Sequence, residues 1–240
     1  MKKLLFTNLL FISIPIILLA QKNDNDRFDF YYGPAIAGQD FSNLNNRIAA
    51  HLEFEQLENA TWGAVLGWVA EAENVIFDYH FSFGGNKSGD AEKKHTNLFS
   101  FGWYAEFGYN FSKNKKIRFY PLVSGGYESF QAKLYKDISS IPFDTLLVSP
   151  PAQQQTESIG FSDSYFIYKL GAGLDFLKNK KHFRGIGIRA GYAGNITNRD
   201  WKTNDGQSLF NAPKDKLSQW FVAINFMFGL KAKYTKAVSK

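Results

Sequence analysis

The segment Ala105–Tyr127, AEFGYNFSKNKKIRFYPLVSGGY, predicts two strands joined by a tight basic turn. Ahead of the turn, every second residue is apolar, and all but one of these residues are large; they are Phe99, Phe101, Trp103, Ala105, Phe107, Tyr109 and Phe111. Between them lie mainly small and polar residues with a single charge, Glu106. Alternation with a period of two indicates one strand with two unlike faces. We therefore predict that the aromatic face contacts lipid and that the other face lines a narrow polar interior.

The same hairpin recurs without a gap at Leu170–Tyr192, LGAGLDFLKNKKHFRGIGIRAGY. A repeated hairpin is typical of an up-and-down barrel built from such units. The predicted strands are Phe28–Ala37, Trp62–Ala70, Val75–Gly84, Leu98–Phe111, Ile117–Ala132, Tyr165–Leu177, Phe183–Gly194 and Ser218–Gly229. The predicted fold class is therefore all-β, an eight-stranded antiparallel up-and-down transmembrane β-barrel with an N-terminal signal peptide.

The connections alternate in length along the chain. Long links, including a polar loop over 85–96, follow the first, third, fifth and seventh strands, and short links follow the second, fourth and sixth. Outer-membrane barrels show this rhythm, because their periplasmic turns are brief and their external loops are longer. The irregular link 136–163 carries three prolines, which exclude a regular ladder. It is predicted to be either a binding surface or a self-packed cap.

The first long link, over 38–60, contains a pattern that fits a short helix. Leu44, Ile48 and Leu52 recur at a spacing of four residues, and Asn43 is a candidate cap. An extension of the neighbouring strand also fits this segment.

Because successive side chains of a strand point to opposite faces, the odd or even position of a residue in its strand predicts whether it faces the lumen or the lipid. We call this the parity of the residue. The lumen residues, predicted to form a structural polar network, are Asp29, Asp78, His80, Glu106, Arg118, Glu128, Lys169, Asp175 and Arg189. The lipid-facing residues are Phe101, Trp103, Phe107, Leu170, Ile188, Ile224 and Phe226. Arg184 also falls on the lipid face, but directly after a turn, where a charge costs about 0–1 kcal/mol rather than the roughly 2–4 kcal/mol expected at mid-bilayer.

Both ends of the chain have distinct compositions. Residues 1–20 begin with Lys2 and Lys3, continue through an apolar run and end on Ala20, which predicts a signal peptide. The further predicted parts are a short polar segment at 21–27, the barrel at 28–230 and a basic periplasmic tail at 231–240. The formal net charge is +6, and the signal and tail lysines account for all of it. The barrel itself is thus close to neutral, and no nucleic-acid partner is expected.

The chain resembles a known family of membrane proteins. The signal peptide, the aromatic alternation, the Gly-rich inward faces and the closing strand WFVAINFMF are similar to small outer-membrane β-barrel proteins of the OmpA/OmpX type. They are especially similar to the Bacteroidetes-type outer membrane protein beta-barrel domain, with a resemblance over about 28–230. It implies a porin-like protein in the outer membrane of a Gram-negative bacterium, with both termini periplasmic. Its implied partners are outer-membrane lipid and the barrel-assembly machinery. Such barrels usually end on an aromatic residue, whereas here the basic tail follows Phe228.

The residues favour a non-enzymatic role, structural or surface-binding, through extracellular loops that meet an unknown ligand. His80, Asp78 and Ser82 share one inward face, and the other histidines show no metal-ligand spacing, so no catalytic, metal or cofactor site is predicted. The chain has no cysteine and therefore no disulfide. Three alternatives stay open. One is an enzyme acting on lipid A or phospholipid through a Ser–His or Asp–His pair at one rim. The others are a small pore and a soluble lipocalin-like barrel with its aromatic residues inside.

Overall fold

The computed structural model describes residues 27–90, 93–138, 141–155, 158–178, 183–197, 200–216 and 218–229. The predicted signal peptide and basic tail lie outside these ranges. His182 and most of the lysine-rich turn of the second hairpin, 178–181, also lie outside them. The strands are β1 Arg27–Gly38, β2 Ala60–Ala72, β3 Val75–Gly89, β4 His95–Tyr109, β5 Ile117–Tyr135, β6 Ile159–Leu177, β7 Phe183–Asn195, β8 Lys202–Thr203 and β9 Ser218–Gly229. The helices are α1 Ser42–Ala49, α2 Phe143–Val148 and α3 Pro150–Gln155.

Eight of the strands close into an antiparallel barrel. Their order is β5-β4-β3-β2-β1-β9-β7-β6, and the pairing of β5 with β6 completes the ring. Each of the eight pairs antiparallel with both neighbours, so the barrel has no free edge. β8 is a two-residue addition to β6 from the last connection. The predicted eight-stranded antiparallel up-and-down barrel is confirmed. No helix among the described residues is long and apolar enough to cross a membrane.

The two ends of the barrel differ. Connections 39–59, 90–94, 136–158 and 196–217 lie at one end, which we call the cap end. The short connections 73–74, 110–116 and 178–182 lie at the other, which we call the turn end. β1 begins and β9 finishes at the turn end, where Asp29 pairs with Gly229.

The alternation seen in the sequence becomes an outward apolar wall. Each barrel strand places a large apolar side chain on the outside; one per strand in chain order, these are Tyr32, Leu66, Phe83, Phe107, Val123, Leu170, Ile188 and Ile224. Phe107 is 55% exposed and Leu170 is 54% exposed. A soluble lipocalin-like barrel would bury these aromatic sets inside, so the structure excludes that alternative.

The barrel is taller on one side than the sequence predicts, because several strands are longer. The segment predicted as a polar loop, 85–96, is largely paired strand, with Asn86 opposite Leu98 and Ser88 opposite Thr96. β5 and β6 are extended in the same way, up to the pair Leu134 and Ile159. Antiparallel ladders in water do not need apolar alternation on their outer face. The polar composition that predicted a loop is therefore compatible with strands that continue past the apolar wall.

A β-bulge corrects the predicted position of Arg184. The β7–β9 register shifts between Phe183 and Gly185, and a bulge re-aims the side chains beside it. The Nε atom of Arg184 lies 3.7 Å from Oδ1 of buried Asp29. Assignment of Arg184 to the lipid face is therefore wrong, because strict parity does not survive the bulge.

Candidate functional site: the barrel lumen and its cap

The lumen nearest the turn end holds a charge cluster around Arg118. This buried guanidinium lies 3.0 Å from Oδ2 of Asp175, 3.5 Å from Oε2 of Glu71 and 3.8 Å from Oδ2 of Asp29. Glu71 is absent from the predicted lumen set because the predicted second strand ends at Ala70. Continuing the parity of Val69 for one more step along β2 would have identified it.

The middle of the lumen is organised around Arg189. Its guanidinium lies 2.9 Å from Oδ2 of Asp78 and 3.2 Å from Oε2 of Glu106, and it donates a 2.8 Å hydrogen bond to the Tyr31 hydroxyl. Tyr31 in turn donates to Oδ1 of Asp78 at 2.8 Å. The side chain of His80 contacts the same Asp78 oxygen through Nδ1 at 2.9 Å. These groups form one connected network contributed by four strands, β1, β3, β4 and β7.

Asp78, His80 and Glu106 bring one ligand atom each within 4.8 Å of the others, a spacing that a metal ion could use. Arg189, however, already lies against both carboxylates and supplies the positive charge that a cation would bring. A metal would have to displace a guanidinium that is itself buried. The chemistry of this donor set favours the ion pair.

A third group lies further toward the cap end. Nζ of Lys169 is 3.1 Å from the centre of the Tyr104 ring and 5.0 Å from that of Phe221. The Tyr104 hydroxyl donates to Oε2 of Glu128 at 2.8 Å. Lys169 and Glu128 are both buried. The structure thus places all nine residues predicted for the lumen inside the barrel, in three neighbouring groups.

The interior is more apolar than the sequence predicts. A cluster of buried residues fills the lumen between the charges: Tyr31, Val65, Val69, Ile76, Tyr120, Leu122, Leu177, Ala223 and Met227. A cavity of about 60 Å³ remains beside Lys169 and Arg189, with room for only a few water molecules. The side chains of Asn225 and Gln219 line it and hold polar atoms without protein partners. The lumen is therefore a packed plug with a small void rather than a wet channel.

The residues predicted to face lipid all lie on the outer wall. Phe107, Leu170, Ile188 and Ile224 are exposed. The other three pack side by side with neighbouring outer-wall rings: Phe101 with Phe81, Trp103 with Tyr79, and Phe226 with Tyr32.

The cap end is closed by an apolar cluster built around α1. Leu44 and Ile48 are buried, as their spacing predicts, and the helical interpretation of this link is right. They join Phe41 and Leu57 in a cluster with residues of the inner wall and the last connection: Leu98, Phe130, Leu134, Tyr165, Ile167 and Trp201. Leu52 does not belong to this cluster, because it lies beyond the helix and is 87% exposed. These side chains obstruct the lumen at the cap end.

Apart from Asp40 just before the helix, the side-chain cap of α1 comes from a distant segment and not from Asn43, which lies inside the helix. Oδ1 of Asp215 accepts hydrogen bonds from the backbone N–H groups of Asn43, at 2.9 Å, and Leu44, at 3.4 Å. Its Oδ2 accepts a 2.9 Å bond from Nε1 of Trp201. Burial raises the pKa of the Asp215 carboxyl, and these three hydrogen bonds oppose that rise. Sequence reasoning missed Asp215 because helix capping is sought among adjacent residues.

Replacing Asp215 with alanine is expected to loosen α1 while the barrel stays closed. Losing a helix-capping acceptor costs about 0.5–2 kcal/mol, and the Trp201 indole also loses its partner. Arg47 lies exposed in the last turn of α1, so limited trypsin digestion at this position should become several-fold faster. Asp205→Ala, at an exposed position of the same connection, is the matched control. Equal cleavage in both variants would contradict the capping role.

Apolar side chains also face solvent in the connections of the cap end. On α2, Phe143 is 71% exposed, Leu147 is 61% exposed and Val148 is 80% exposed. Phe210, in the last connection, is fully exposed. Among the described residues of link 136–163, the large apolar side chains of α2 are therefore not buried as a self-packed cap would bury them. Of the two predictions for this link, exposure favours a surface available for contact.

The three histidines that the structure describes do not form the arrangement that an outer-membrane lipid enzyme needs. His80 lies inside the lumen and contacts two carboxylates. His51 is exposed in the first connection, and His95 stacks on Tyr135 with 4.3 Å between ring centres. None of these described histidines is hydrogen-bonded to a serine at a rim open to lipid.

A closed barrel with an apolar exterior and a charged, plugged interior is the class of structure that these observations define. No protein-family model and no curated protein matches the chain. Among solved structures, the chain is similar to the attachment invasion locus protein Ail of Yersinia pestis, in complex with the heparin analogue sucrose octasulfate. The identity is 14% over 85% of this chain and 99% of that one, with a TM-score of 0.48.

Two further solved structures are similar. For Neisserial surface protein A the identity is 11%, the coverage 85% of this chain and 97% of that one, and the TM-score 0.46. For the outer membrane protein OprG of Pseudomonas aeruginosa the identity is 13%, the coverage is 86% of this chain and 96% of that one, and the TM-score is 0.45.

Proposed function

We propose that the chain is a non-enzymatic integral protein of the bacterial outer membrane, with its turn end and both termini in the periplasm. Its cap end lies outside the cell and serves as a binding surface or as structural support. Outer-membrane lipid contacts the outer wall of the barrel, and the barrel-assembly machinery inserts the chain into the membrane. The finer resemblance to the Bacteroidetes-type barrel domain remains a prediction.

The observation that carries this proposal is the separation of charge from the outer wall. Within the described parts of the eight barrel strands, the acidic, basic and histidine residues not buried inside the lumen lie near strand ends: Arg27, Arg184, Lys87, Lys133 and His95. On β4, the outer face from Phe99 to Tyr109 extends over ten residue steps, or about 34 Å along the strand. A strand tilted by about 40° then rises roughly 26 Å, which matches an outer-membrane apolar band of about 25 Å.

The difference between the two ends of the barrel supports the proposed orientation. Outer-membrane barrels carry short turns in the periplasm and longer loops outside. Here the long connections, the ordered cap and the exposed residues of α2 all lie at the cap end. Loops held on a rigid scaffold commonly bind ligands, which supports a binding role for the cap end. The plugged lumen does not support the pore, and the inward position of His80 does not support the lipid-modifying enzyme.

Gel migration and labelling test the proposal together. Folded protein in detergent should migrate differently before and after boiling, and it should give no steady conductance in a planar bilayer. Because the chain lacks cysteine, single cysteines report topology directly. On intact cells a membrane-impermeant maleimide should label Phe210→Cys, whereas Lys115→Cys should react only after the outer membrane is permeabilised.

Each result has an opposite that counts against the proposal. Identical migration of boiled and unboiled samples would contradict a membrane barrel. Steady conductance would favour the small pore. Labelling of Lys115→Cys but not Phe210→Cys on intact cells would reverse the orientation.

A further inference from the structure

The turn end carries a cavity whose lining is almost entirely cationic. Its volume is about 220 Å³, and the lining residues are Arg27, Lys115, Lys116, Leu177, Lys178 and Arg184. Five of these six side chains are positively charged, and no carboxylate lines the cavity. They come from the start of β1, the β4–β5 turn, the end of β6 and the start of β7. Positive charge therefore converges on one space from four segments of the chain.

Hydrogen bonds hold these segments together. The carbonyl of Lys116 accepts a 2.7 Å bond from the N–H of Leu177, and the carbonyl of Arg184 accepts one from the N–H of Lys178. The Arg27 guanidinium donates to the carbonyl of Lys115 at 3.4 Å. Strand pairing and these hydrogen bonds thus fix the backbone positions from which the lining side chains extend.

The charges around the cavity are poorly neutralised by the part of the chain that the structure describes. Arg184 has a carboxylate within 4 Å, that of Asp29, but Asp29 is shared with Arg118. Within that same part, Lys115, Lys116 and Lys178 form no ion pair. At the cap end, two lysines do have carboxylate partners: Lys94 lies 3.6 Å from Glu55 and Lys214 lies 3.4 Å from Asp200. Like charges gathered without partners repel one another, and a bound anion would relieve that repulsion.

A neighbouring cavity helps to define the ligand. It is larger, about 400 Å³, and shares Arg27 and Lys115, but Glu71 and Glu73 also line it. Carboxylates disfavour an anion there, so the smaller cavity is the better site. Guanidinium and ammonium groups approaching from several sides suit a ligand with three or more oxygens around one centre. A phosphate offers this, whereas a carboxylate presents only two oxygens on one edge.

We propose that the turn-end cavity binds a phosphate group, either the headgroup of an anionic phospholipid or a soluble phosphate. The lipid source rests on the proposed function, which puts the turn end beside the inner leaflet of the outer membrane. The binding chemistry does not, because it depends only on the five side chains.

The test uses the full folded protein in a maltoside detergent, which carries no phosphate. Binding of inorganic phosphate and of dihexanoyl-phosphatidylglycerol is measured by phosphorus NMR titration at low ionic strength. The site variant is Lys116→Gln with Lys178→Gln. The control is Lys87→Gln with Lys133→Gln, which removes the same charge from exposed positions at the cap end. Heat-modifiable migration of both variants establishes that they are folded.

The wild type is expected to bind at least one probe. The site variant should bind it about tenfold more weakly or worse, since each charged hydrogen bond contributes roughly a tenfold factor, while the control should change by less than about twofold. Stronger binding of the lipid identifies a headgroup site, and equal or stronger binding of phosphate identifies a soluble ligand. No binding of either probe, or equal weakening in both variants, would overturn the proposal. Because the assay is done in detergent, it can succeed even if cell labelling contradicts the proposed orientation.

Discussion

Replacing Leu170 with arginine is expected to prevent stable insertion of the barrel. Leu170 is 54% exposed on the outer wall, between Val123 of β5 and Tyr192 of β7. It lies near the middle of the apolar face of β6, so the charged side chain cannot easily reach either membrane surface. At this depth arginine costs about 2–4 kcal/mol relative to an apolar residue. The measurement is the fraction of heat-modifiable protein after refolding into lipid vesicles.

The matched control is the adjacent position on the opposite face. Lys169→Met removes a charge from the lumen, where Lys169 lies against the Tyr104 ring. Glu128 keeps its hydrogen bond from the Tyr104 hydroxyl, and methionine fills most of the same space. This variant should still give a folded barrel. If Leu170→Arg and Lys169→Met insert equally well, the assignment of the outer wall to lipid is wrong.

Removing the guanidinium of Arg189 is expected to destabilise the folded barrel by about 3–5 kcal/mol, because it leaves buried carboxylates without their partner. In Arg189→Ala, Asp78 and Glu106 lose contacts of 2.9 Å and 3.2 Å. The Tyr31 hydroxyl also loses its donor. Urea unfolding in lipid vesicles, followed by tryptophan fluorescence, measures the loss in the free energy of unfolding.

A compensated variant separates charge from packing. Arg189→Met combined with Asp78→Asn and Glu106→Gln removes the whole charged group while keeping similar volumes. Replacing a complete buried ion-pair group by neutral residues is often close to neutral in stability, so this triple variant should recover most of the loss. A decrease of less than about 1 kcal/mol in Arg189→Ala alone would show that the pairing contributes little. A triple variant as unstable as Arg189→Ala would indicate that packing dominates.

The barrel could be predicted from the sequence because period-two alternation is a local pattern that covers every barrel strand. The lumen residues followed from the same parity. Two features could not be predicted, since neither leaves a signal in the alternation. They are the bulge at Arg184 and the polar strand extensions up to Gly89 and Tyr135. The predicted polar interior was incomplete for a different reason. Parity gave the inward position of Val65 and Val69, but only the three-dimensional arrangement shows that they fill the lumen.

The cap was partly predictable. The spacing of Leu44 and Ile48 indicated α1, because it depends on neighbours within one helix. Asp215 gave no comparable signal, since it acts on amides about 170 residues earlier in the chain. The turn-end cavity was visible in the sequence only as two lysine-rich turns. Their convergence with Arg27 and Arg184 depends on barrel closure.

The dependence of α1 on Asp215 has a consequence for biogenesis. Asp215 lies three positions before the start of β9, the strand that seals the ring against β1. The α1 helix therefore obtains this distant acceptor only when the final strand is in place. Burial of the Trp201 indole, which shares that carboxylate, should consequently mark the last event of assembly and provide an optical signal for a completed barrel.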